Sequence, residues 1–300
     1  MLAGGSEPTP AHDYSQDYLT LVALESGTFS FTICSGISTN YLTSISYSTD
    51  GGTTWTDTNN VTSETVTITT PTISQGGKVL WKGTGTILSN NGNDNNYSFF
   101  ESTGNFNVEG NVMSLLFSDF AEKTLGKVFC KLFIGSKVVD ASNLILPSTT
   151  MGNPGYFAMF KDCTALTYPP DLPATTLAGT CYKEMFSGCS ALVSAPALPA
   201  TTLATYCYQN MFSKCTSLTT APVLPALTLK QSCYNMMFYK CTSLNYIKMM
   251  ATDISASSCL ASWVSNVAAS GTFVKNASAE WTTTGASGVP DGWTVETASE

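Results

Sequence analysis

The cysteines are the side chains in this sequence best suited to metal or redox chemistry. There are ten, and eight of them keep a fixed interval of 26. Cys163, Cys189, Cys215 and Cys241 make one series, and Cys181, Cys207, Cys233 and Cys259 make a second. Zinc needs thiolates that converge on one point, usually as pairs two to four residues apart. The nearest cysteines within one unit, such as Cys181 and Cys189, are eight apart, and no histidine falls among the repeats. Disulfides stay open because ten is even, although equivalent positions in successive units are poor candidates to pair. The favoured reading is a thiol used as filling, since free cysteine is a small hydrophobe and among the most buried residue types.

Other catalytic chemistry is thinly supplied. His12 is the only histidine and lies in the leading segment. A Ser-His-Asp or Cys-His nucleophile would depend on it. Between residues 141 and 255 the carboxylates are Asp162, Asp171, Glu184 and Asp253, which gives little scope for paired-carboxylate glycoside hydrolysis. Ser48-x-Asp50-x-Gly52-x-Thr54-Trp55 matches the Asp-box pattern of sialidases, where the box is a hairpin element remote from the chemistry. A sialidase also needs arginines for its substrate carboxylate, and this chain has none. NNGNDNN (90–96) carries one carboxylate, Asp94, too few for a calcium loop. The expectation is a non-enzyme with no cofactor and no metal; a carbohydrate-active enzyme is kept only as a remote alternative.

Composition narrows the partners. The net charge is −8, all 13 basic residues are lysine, and only 11% of residues are charged, against roughly a quarter in an ordinary soluble domain. Scattered lysines in an acidic chain are a poor grip for phosphate backbones, so nucleic acid is not an expected partner. No stretch approaches the 18 or more apolar residues of a membrane-spanning helix, and no membrane insertion is expected. MLAGGSEPTPAHDYSQDY lacks the basic and apolar regions of a signal peptide. A surface built from Thr, Ser, Asn and Gly suggests an extracellular, cell-surface or virion setting.

Four segments must position these residues. Residues 1–16 read as a flexible leader or tether. Residues 17–118 carry period-2 strands and turns such as Asp50-Gly51-Gly52, which predict a small antiparallel β-sandwich or barrel. Residues 119–255 repeat with period 26: Met159-Phe160, Met185-Phe186, Met211-Phe212 and Met237-Phe238 keep step with the cysteines. KVFCKLFIGSKVVDASNLILP looks like a degenerate first unit. In CYKEMFSGC the apolar residues 181, 182, 185, 186 and 189 fall at helical spacing, which predicts a short helix in each unit. A short extended segment follows, ended by Pro196 or Pro222. Residues 256–300 hold Trp263, Trp281 and Trp293, read as a cap over the last coil.

The unit FxxCxxLxxAPxLPATTLAxxCYxxMF resembles leucine-rich repeats of the BspA-like (treponemal) type, found on surface proteins of gut and oral bacteria and their phages. The likeness covers about residues 120–255, with an added Pro-rich step in each unit. It implies a solenoid with a binding or adhesion role and no catalytic centre. The expected class is therefore α+β: an N-terminal β-sandwich or barrel, a short leucine-rich-repeat solenoid, and a C-terminal cap. The expected function is recognition of a protein or glycan on a cell surface, with a structural protein of a phage virion as the alternative. The recognition face should lie where unit-to-unit variation meets the extended segments: Thr167, Tyr168, Asp171, Ser194, Thr219, Thr220, Asn245 and Tyr246.

Overall fold

The computed structural model describes residues 17–34, 42–58, 65–85, 97–116, 128–153 and 155–299. His12, Asp94 and the leading segment 1–16 lie outside the described residues. Eight strands form in the N-terminal part: β1 (Leu19–Ala23), β2 (Phe29–Ile33), β3 (Leu42–Ser48), β4 (Thr56–Thr58), β5 (Val66–Thr69), β6 (Lys78–Gly85), β7 (Phe99–Ser102) and β8 (Phe106–Asn111). Four more follow: β9 (Val138–Ile145), β10 (Tyr246–Met249), β11 (Thr272–Lys275) and β12 (Thr294–Thr297).

β6 shows why these residues make strands. Val79 and Trp81 are buried while their neighbours Lys78, Leu80 and Lys82 are less so, the period of two that a half-buried sheet imposes. Gly83 continues the buried face because nothing larger fits. A Cβ there would lie 2.3 Å from the Leu115 carbonyl oxygen and 2.7 Å from that of Ser44. Two sheets result, ordered β4-β3-β6-β1-β8-β9 and β5-β2-β7. They meet through rings. Phe31 of β2 lies 6.0 Å from Trp81 of β6, and Phe100 of β7 lies 5.1 Å from Trp81. Every pairing in the two sheets is antiparallel except one: β9 runs parallel to β8. The larger sheet thus takes strands from both sides of residue 118.

The expected α+β class is corrected. Among the described residues there is no α-helix; the regular structure is nearly all strand, set in three small sheets. The leucine-rich-repeat solenoid of alternating helix and strand falls with it. The segment read as a helix, residues 181–189, is a run of turns. The reason lies in where its N–H groups go. Tyr182, Glu184, Phe186 and Gly188 donate to Cys207, Gln209, Met211 and Ser213 of the next unit, at 2.8–3.0 Å. Lys183, Met185 and Ser187 instead donate to Thr180, Tyr182 and Glu184 of their own unit. In a helix each N–H beyond the first turn bonds the carbonyl four residues back in its own segment, whereas here alternate groups point along the chain and across to the neighbouring coil. The alternation needs a left-handed residue at every fourth position: Thr180 (φ 58°), Glu184 (φ 60°) and Gly188 (φ 82°).

Cross-coil bonds of the same kind run from Tyr156 N to Cys181 O, from Tyr208 N to Cys233 O and from Tyr234 N to Cys259 O. Equivalent side chains are therefore superposed. Phe133, Phe160, Phe186, Phe212 and Phe238 stack at 5.3–5.8 Å with their planes within 10°. Phe129, Tyr156, Tyr182, Tyr208 and Tyr234 form a second pile at 5.8–6.0 Å. The first pile runs into the sandwich, since Phe100 stacks on Phe133 at 5.5 Å. At the other end Trp263 lies 6.2 Å from Phe238 and 6.1 Å from Trp281, beneath the parallel sheet β10-β11-β12. Trp293 donates its indole N–H to the Ala268 carbonyl at 2.8 Å.

Candidate recognition face

The cysteine series come first, because their chemistry is the alternative to a recognition role. All ten thiols are buried and none is in a disulfide. In the first series each S–H donates to a phenylalanine carbonyl of the preceding coil. Cys163 bonds Phe133 O at 2.8 Å, Cys189 bonds Phe160 O at 3.0 Å, Cys215 bonds Phe186 O at 3.1 Å, and Cys241 bonds Phe212 O at 2.9 Å. Burial pushes the thiols of Cys163, Cys181, Cys233 and Cys241 up to about 12. It drives Cys189, Cys207 and Cys215 well above their ordinary value, and raises Cys259 too. A protonated, enclosed thiol is neither nucleophile nor metal ligand. Among the described residues no group of three or more His, Cys, Asp or Glu could hold a metal ion.

The Asp-box is a self-contained tip between β3 and β4. Asp50 accepts from the Thr54 hydroxyl at 2.6 Å, the Thr54 N–H at 2.9 Å and the Ser48 hydroxyl at 2.7 Å. Those bonds, Thr54's foremost, hold its carboxyl at about 2. The Trp55 indole donates to Gly52 O at 3.0 Å, which closes the turn. Its carboxylate is spent on backbone and hydroxyl donors.

The proposed recognition residues lie along the strand side of the coils. Tyr168 pairs with Asp140 of β9 in a parallel bridge, and Thr220 pairs with Tyr246 of β10. From there β10, β11 and β12 continue the row through Thr272 and Thr294. The row is incomplete in the middle, where no strand bridge joins Ser194 to Tyr168 or to Thr220 among the described residues. Tyr168 is 51% exposed and Tyr246 36%, with exposed Ser194 and Thr220 between them in the column. Thr219 and Asn245 are exposed in the adjacent column, which Thr167 begins half-buried with its hydroxyl turned to Ala165 O at 3.3 Å. Asp171 stands apart from the row. It lines a groove of about 620 Å³ with Ser142, Asn143, Thr149 and Pro173 at the corner between β9 and the next coil.

Three exposed apolar residues were not expected: Val193 (46%) on the same side, and Val223 (49%) and Leu227 (53%) beyond the row, Val223 in register with Asp171. The signal was in the columns. Val193 stands in register with Thr167, Thr219 and Asn245, and Leu227 with Thr175 and Thr201, so their columns are outward-facing whatever residue occupies them. The arrangement offers hydroxyls, two phenol rings and isolated apolar contacts on a regular frame. Comparison of the chain with protein-family models, with curated proteins and with solved structures finds no match.

Proposed function

We propose that this protein is a non-catalytic recognition module that binds a protein or glycan on a cell surface through the strand side of its coils. The observation that carries the reading is the column Tyr168, Ser194, Thr220, Tyr246. It sets two exposed phenol rings three coils apart on a stiff frame. At about 4.8 Å per coil the rings are separated by about 14 Å, a span suited to two contacts on one extended ligand. A tyrosine side chain has few rotatable bonds to lose on binding and supplies both an apolar face and a hydroxyl. The resemblance of the repeat phrase to BspA-like surface proteins supports the same reading, and an extracellular or particle-surface location goes with it.

The test is a binding screen on immobilised glycans and cell-surface proteins with the intact chain and with Tyr168→Ala, Tyr246→Ala and the double variant. The expected result is a ligand whose affinity falls about tenfold or more in each single variant. Unchanged binding in both single variants removes the strand side as the recognition face.

A further inference from the structure

The coils end in an open strand. Among the described residues β12 pairs with β11 alone and is the outer strand of its sheet. Thr294 N donates to Gly271 O at 2.9 Å and Ala298 N to Lys275 O at 2.8 Å, so Thr294, Glu296 and Ala298 direct their backbone groups at β11. By the alternation of a ladder, Val295 and Thr297 turn their N–H and C=O groups to the open side. The side chain of Val295 is open as well. It continues the column of Ile247 and Phe273, both fully buried, yet is itself 48% exposed. An interior column therefore runs out into solvent. Natural edge strands are guarded by lysine, proline or a bulge. β12 has none of these: it reads TVET, and its register with β11 is unbroken. On β5, another edge strand, the inward Ile68 is buried, and on β7 Phe100 N is bonded by Leu132 O at 2.8 Å.

We propose that the β12 edge binds the β12 edge of a second copy of this chain, antiparallel, to form a two-fold dimer. Three observations point to a second copy as the occupant. The edge is self-complementary, because Val295 and Thr297 each offer one donor and one acceptor that an antiparallel copy can match. The other end of the coil stack is closed, since Phe100 of the sandwich stacks on Phe133 at 5.5 Å. Association through the open end therefore stops at two copies and does not grow into a filament. The strand also carries a single charge, Glu296. Pairing centred on Val295 sets the two valines side by side and each Glu296 opposite the partner's Thr294. A register centred on Glu296 would oppose like charges, which is destabilising. The valine pair then covers the column that a single copy leaves exposed.

The experiment is sedimentation velocity of the intact chain over a range from low micromolar to several hundred micromolar. A four-residue edge buries little area, so the dimer is expected to be weak and to dissociate on dilution. The mass should rise with concentration from 31.8 kDa to twice that value and no further. Val295→Lys places a charge at the junction and should weaken association tenfold or more. Thr297→Pro removes an outward N–H that β11 does not use, and should do the same. Tyr168→Ala with Tyr246→Ala should leave association unchanged, which separates this edge from the recognition row. Thermal melts of each variant within a few degrees of the parent establish that the fold is intact. A chain that stays monomeric throughout leaves the edge to another molecule and overturns the proposal. A dimer indifferent to both edge variants, or growth beyond two copies, would overturn it equally.

Discussion

Cys215 donates its S–H to the carbonyl oxygen of Phe186, 3.1 Å away in the coil before its own. The same oxygen accepts the Cys189 N–H at 3.1 Å, so the sulfur supplements a carbonyl that is already paired. The bond is weak, and the sulfur's main contribution is its volume in a closed interior. That relationship, repeated from coil to coil, states the architecture: what is next in the interior is 26 residues away in the chain.

The ring piles should therefore carry much of the stability. Phe186 sits between Phe160 and Phe212 and is fully buried. Phe186→Ala is expected to cost about 3–5 kcal/mol in denaturant unfolding, and Phe186→Leu clearly less. A cost below about 1 kcal/mol for the alanine variant would contradict the stacked interior.

The tyrosine pile behaves differently at its polar tips. The phenol oxygens of Tyr182 and Tyr208 are buried without a hydrogen-bond partner, and burial raises both phenols well above their ordinary value. Burying an unpaired hydroxyl costs about 1–3 kcal/mol. Tyr208→Phe keeps the stack and removes that cost, so it should leave stability unchanged or raise it by about 1 kcal/mol. Chemical denaturation of the two proteins side by side checks the sign.

Backbone handedness gives a paired test. Lys214 is exposed at φ 64° in register with Gly188 at φ 82°. Holding a side-chain-bearing residue there costs about 1–2 kcal/mol. Lys214→Gly should raise the melting temperature by a few degrees, whereas Gly188→Ala should lower it. The alanine Cβ would fall 2.2 Å from an Asp162 carboxylate oxygen.

Much of this arrangement could be read from spacing alone. The interval of 26 predicts which residues share a column, and Tyr182, Tyr208 and Tyr234 do. The spacing suggests a helix because 181, 182, 185, 186 and 189 turn inward with a period near four, which a helix and a run of turns with a left-handed residue at every fourth position share. The distinguishing mark was faint. Asp162, Gly188, Asn210 and Asn266 tolerate positive φ, but Glu184, Lys214 and Met236 take it too and hide the pattern. The first coil was harder still, since Phe133 to Phe160 is a step of 27. Tyr168 and Tyr246 stood out as rings among small polar residues.

The Asp50 tip supplies a pH test. Its carboxyl, held at about 2 against an ordinary 3.8, is depressed in the folded state. A depressed carboxylate contributes stability above the unfolded value and loses it as pH falls through the folded one. Melting temperature should therefore decline between about pH 4 and pH 2, and Asp50→Asn should flatten that limb while lowering stability at pH 7. An acid limb that is identical in the variant would assign the effect to other carboxylates.

The most direct test of the stacked interior is thiol labelling of the native protein at pH 8, read cysteine by cysteine by mass spectrometry. Cys163, Cys189, Cys215 and Cys241 should stay unmodified for hours with a maleimide and react at once after unfolding, as should Cys181, Cys207 and Cys233. Rapid modification of these positions in the folded chain would contradict the account.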